Sequence, residues 1–167
     1  MLSPLARWAL ILVGVSFVVF MVLKVWAPLR LSSRKTRPAR LRIQQAKLRA
    51  TQAQDPATKA EAWREAAVLA LEELGDPSLA SGYARRAERA DPHDIEALDL
   101  LARSLRRASR LGALERFLWR RLAAGVDIQG QAYDRAFDEL VALYDGPMHR
   151  KERAQALRQL RGTRLTA

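Results

Sequence analysis

Between Trp8 and Leu23 the chain reads WALILVGVSFVVFMVL, with no charged residue and Ser16 as its only polar side chain. A helix drawn through it is apolar on every side, so no stripe is left for solvent. That run spans about 24 Å, slightly less than a hydrocarbon core about 30 Å thick. Arg7 and Lys24 can snorkel outward, so the pattern predicts a transmembrane helix over 5–29 with Trp8 and Trp26 at the two interfaces. A cleaved signal peptide is the competing reading, with Arg7 as its n-region and Val25-Trp26-Ala27 as a crude cleavage site. Pro28 directly after the cut and the bulk of Trp26 disfavour cleavage.

Past residue 29 the pattern changes twice. Residues 30–54 form a predicted basic linker: 31–38 read as a joint broken by Ser32, Ser33 and Pro38, and 39–54 read as a helix with a weak apolar face of Ile43, Ala46, Ala50 and Ala53. From Asp55 onward the period is helical throughout. Asp55-Pro56, Asp76-Pro77 and Asp94 are helix starts, whereas Gly75, Asp91-Pro92, Gly125 and Gly146-Pro147 are stops. The predicted inward faces carry Trp63, Ala67 and Ala70, then Tyr83, Ala84 and Ala87, then Leu98, Leu101 and Leu105. Leu114 and Leu118, Phe137 and Leu140, and Ala154 with Leu157 and Leu160 continue the series. Six helices joined by short connections across 55–161 imply three stacked antiparallel hairpins, so the expected fold is all-α, a transmembrane helix followed by an α-α hairpin superhelix.

Charge changes the picture by its position. The 167 residues carry a formal charge of +11, but 1–54 hold ten basic and no acidic side chains and 148–167 hold six basic and one acidic. The stretch between is mildly acidic, which is unlike a nucleic-acid-binding domain. The basic residues after the apolar run, beginning with Arg30, Arg34 and Lys35, place the body in the cytoplasm by the positive-inside bias, on the inner membrane as a single pass; a periplasmic body is the runner-up. Arg30, Arg34, Lys35, Arg37, Arg40 and Arg42 are also candidate contacts for anionic lipid headgroups, and topology signal and lipid binding fit the composition equally. No aromatic residue interrupts that basic stretch, so a stacking platform for nucleic acid is missing.

The segment AEAWREAAVLALEELGDPSLASGYARRAERADP, from Ala60 to Pro92, resembles a tetratricopeptide repeat. Trp63, Gly75-Asp76, Ala80, Ala87 and Asp91-Pro92 carry the likeness, with Trp63 one residue early. Thirty-four residues on, Leu101, Ala102 and Leu105 match a second copy, and the third hairpin keeps only the helical period. The resemblance implies a concave groove, lined by the first helix of each hairpin, that holds a peptide. Its outward positions are Ala62, Glu65, Leu69, Glu72 and Glu73, then Glu96, Asp99, Arg103, Arg106 and Arg107, with Arg110 beyond. The groove is expected to be acidic first and basic later, Asp99 and Arg103 also being spaced as an i,i+4 ion pair.

Enzymatic chemistry finds little support. There is no cysteine, and His93 and His149 both lie in turns. No phosphate-binding glycine loop or metal-spaced cluster occurs, and neither cofactor nor metal is expected. The sequence therefore reads as a membrane-anchored scaffold or adaptor that recruits a protein partner. A permanent subunit of a larger membrane complex and a binder of anionic lipid or nucleic acid are the alternatives.

Overall fold

The computed structural model describes residues 37–124 and 130–165, so the predicted span and Arg30, Arg34 and Lys35 lie outside the described residues. All regular structure among the described residues is helical, and no helix among them is long and apolar enough to cross a membrane. The helices are α1 (37–52), α2 (Pro56–Val68), α3 (Pro77–Ala90), α4 (Ile95–Arg107), α5 (Leu111–Ala123), α6 (Gln131–Asp145) and α7 (Lys151–Leu165). Residues 39–167 form one compact unit; Arg37 and Pro38 belong to the preceding unit.

Three helix starts follow from a carboxylate placed before the first turn. Asp55 accepts from the Thr58 amide at 2.8 Å, Asp76 from Leu79 at 2.9 Å and Asp94 from Ala97 at 3.0 Å. Each bond satisfies an amide that has no partner inside the helix. Pro56 and Pro77 occupy first-turn positions where no amide is needed. At the far end α2 widens into a π-helical turn, Leu69–Glu73, closed by the Leu74 amide on the Leu69 carbonyl at 3.1 Å. Gly75 then reverses the chain at φ +64°, a conformation that a Cβ would strain.

Small residues set the contact between α2 and α3. Ala66, Ala67 and Ala70 face Ala80, Ala84 and Ala87, all fully buried, and Trp63 stacks on Tyr83 with ring centroids 5.9 Å apart. Further along the core changes to leucine: Leu98, Leu101, Leu105, Leu114, Leu118, Leu140 and Leu143 are fully buried, as is Tyr144. Burying each of these leucines contributes about 1.5–3 kcal/mol. Leu160, expected inward on α7, is exposed.

The segment read as the second half of the linker belongs to this core. Ile43, Ala46 and Ala50 of α1 are buried in the same cluster as Trp63, Ala66 and Leu69. Arg42 pairs with Glu73 and Arg49 with Glu65, both at 2.5 Å, so α1 lies antiparallel along α2. Beyond these, α2 contacts α4 and α4 contacts α6, and Arg121 of α5 bonds Glu88 of α3 at 2.6 Å. Even-numbered helices thus follow one another along one flank, with α3 and α5 on the other.

Candidate functional site

Between α2 and α4 lies an open cleft of about 380 Å³ lined by Glu61, Arg64, Glu65, Val68, Glu96, Asp99, Leu100 and Arg103. It brings together four residues expected on the groove, Glu65, Glu96, Asp99 and Arg103. Most of its charge is already matched within the chain. Glu65 is held by Arg49, Arg64 bonds Glu96 and stands 3.1 Å from Asp94, and Asp99 takes a two-pronged contact from Arg135 of α6 at 2.7 and 3.0 Å. The Asp99 hydrogen bond and charge push the Arg135 guanidinium further above its ordinary value. Asp99 therefore does not pair with Arg103 as its i,i+4 spacing suggested; its partner comes from the next hairpin.

Two charges in the cleft hold no ion pair among the described residues: Glu61 at the α2 end and Arg103 on α4. Val68 stands between them at 45% exposure, above the buried Leu100. The cleft consequently offers a partner one free carboxylate, one free guanidinium and an apolar step, a bipolar surface suited to a peptide of mixed character.

The remaining expected groove residues divide. Glu72 is exposed and meets Arg107 at 3.3 Å, which places both beside the cleft but already engaged with each other. Arg106 bonds Glu139 of α6, whose side chain is largely buried, so it ties two helices together instead of facing a ligand. Arg110 lines a different cleft, between α3 and α5. Leu69 is a correction: at 4% exposure it lies in the core, and Ala62 beside it is buried too. The reason is α1. Its Arg42 and Arg49 seat it along that flank of α2, and the face that was expected to be outward becomes an internal contact.

Of the lipid candidates that fall within the described residues, Arg37 and Arg40 are exposed, whereas Arg42 is committed to Glu73. His93 sits in a turn whose Asp91 carboxylate accepts the His93 amide at 2.9 Å, and no group of His, Asp or Glu among the described residues is arranged to hold a metal ion. Glu61, Arg64 and Val68 were not expected as cleft residues; the signal that could have found them is that with Glu65 they recur at i, i+3, i+4 and i+7, which puts the four on one face of α2.

Six ion pairs share one feature. Arg64–Glu96, Arg106–Glu139, Arg107–Glu72, Arg121–Glu88, Arg135–Asp99 and Arg150–Glu115 join residues 32, 33, 35, 33, 36 and 35 positions apart. Five of them link a helix to the one two places along the chain, and the sixth joins α5 to Arg150 in the turn before α7. No family model, no curated protein and no solved structure matches the chain.

Proposed function

We propose that the chain is a single-pass membrane-anchored adaptor whose helical body, similar to a tetratricopeptide-repeat superhelix, recruits a protein partner through the α2–α4 cleft. The observation that carries this reading is the cleft itself, in which Glu61, Val68 and Arg103 are left open while their charged neighbours are matched inside the chain. The repeat reading is supported by ion pairs spaced 32 to 36 residues apart, close to a repeat of about 34 residues. The early position of Trp63 has a counterpart too. One extra residue lies between it and the Gly75-Asp76 turn, and a π-helical turn is how a helix absorbs one extra residue. The anchor rests on the uncharged run 8–23, and the cytoplasmic side on the basic residues that follow it.

A photoreactive amino acid at Val68, activated in intact cells, tests the cleft. One discrete adduct is expected, and Arg103→Glu should lower its yield about fivefold at unchanged helicity. No adduct, or a yield indifferent to Arg103→Glu, contradicts the assignment. Reversing Arg106 or Arg107 is a poorer test, since each already holds a carboxylate whose repulsion would disturb the fold.

A permanent structural subunit is the second reading, and one surface favours it. Trp119 and Leu160 are exposed at 44% and 64% around an apolar cleft completed by Tyr144 and Leu157. Copurification in fixed stoichiometry after detergent extraction distinguishes that role from transient recruitment.

A further inference from the structure

The flank opposite the α2–α4 cleft carries a larger hollow of about 680 Å³ between α3 and α5. Six arginines reach it: Arg85 and Arg89 from α3, Arg110 at the head of α5, and Arg116, Arg120 and Arg121 along α5. Among the described residues Glu88 is the single acidic one in its wall, and it is already occupied. Arg121 is nearly buried and spends its guanidinium on Glu88 at 2.6 Å and on the Pro92 carbonyl. The other five are exposed and hold no ion pair among the described residues. Elsewhere in the body Arg42, Arg49, Arg64, Arg106, Arg107 and Arg135 each hold a carboxylate, whereas this one hollow gathers five uncompensated cations.

We infer that this hollow is a docking site for an extended acidic segment of a partner protein, with carboxylates at alternate positions. Spacing argues for it. Arg85 and Arg89, like Arg116 and Arg120, are four residues apart on a helix, which separates them by about 6 Å along the axis. Same-side residues of an extended peptide recur at about 6.6 Å, so successive carboxylates match the spacing of successive guanidinium forks along one wall. Ala113 and the half-buried Phe117 add an apolar part to the lining. A single-stranded nucleic acid has comparable phosphate spacing, but its bases need exposed aromatic faces, and among the described residues Phe117 is the only aromatic one of the lining. This site depends neither on the bilayer anchor nor on the α2–α4 cleft.

The test uses the full chain in detergent micelles and a fluorescent peptide of about nine residues with glutamate at every second position and alanine or leucine between. Anisotropy is expected to report saturable binding that weakens as salt rises, with the glutamine counterpart of the peptide failing to bind. Arg89→Ala combined with Arg120→Ala should weaken binding about tenfold or more, and Arg85→Glu with Arg116→Glu should abolish it, both with native helicity. Arg103→Glu, in the other cleft, should leave it unchanged. Because the alanine pair removes only exposed side chains, it keeps the test informative if the charge reversal perturbs folding. Equal binding of the glutamine peptide, indifference to the alanine pair, or displacement of the peptide by single-stranded RNA at equal charge overturns the proposal.

Discussion

Arg121 and Glu88 form the ion pair with the least water around it, their side chains only 6% and 15% exposed. In such a place the two charges are worth keeping only together, since desolvation of each is offset by the other. Glu88→Gln should therefore destabilise the body by about 3 kcal/mol, leaving a buried guanidinium without a counter-charge, whereas Arg121→Met, an apolar stem of similar length, should cost less. Chemical denaturation of the two variants ranks them, and the reverse order contradicts this account of the pair. Asp55 behaves differently because it is exposed. The Thr58 amide, and then the Thr58 hydroxyl, hold its carboxyl below the ordinary value. A depressed pKa gives stability that is present above the unfolded value and lost as pH falls through the folded one. The difference in Tm between the native chain and Asp55→Asn should thus narrow as pH drops below about 4, and a constant difference would argue against the capping contact.

At the scale of elements, helix starts were legible and partnerships were not. Asp55-Pro56, Asp76-Pro77 and Asp94 announce α2, α3 and α4 because capping is local chemistry, complete within four residues. The inward leucines of α4 to α6 were equally plain from their period. What α1 does was hidden, because its buried face is one isoleucine among alanines and its basic surface suited a membrane flank as well as a fold. Leu69 was misplaced for the same reason, its outward spacing on α2 being cancelled by a helix whose docking the sequence did not reveal. The partners of Asp99, Arg106 and Glu72 lie a whole hairpin away, beyond the reach of i,i+4 reasoning. If α1 is part of the body, Ile43→Ala should cost about 2 kcal/mol or more, while Leu41→Ala and Leu48→Ala on its exposed side should stay within about 0.5 kcal/mol. Equal, small effects at all three positions would mean that α1 packs on nothing.

For the whole molecule, the structure describes a stack in which each hairpin is joined to the next by ion pairs on both flanks, Arg135–Asp99 and Arg106–Glu139 on one side, Arg121–Glu88 and Arg150–Glu115 on the other. The more exposed of these pairs contribute little each, about 0–1 kcal/mol, and the consequence of the set is register: it fixes which residues face the two clefts. Partner recruitment at a bilayer then needs the stack to be held there, which is the task assigned to residues 5–29. Alkaline carbonate extraction of native membranes, followed by intact-mass measurement of the chain in each fraction, tests this most directly. The account predicts the chain in the washed membrane pellet with the segment from Leu5 to Leu29 still attached. A soluble chain that begins near Pro28 would contradict it.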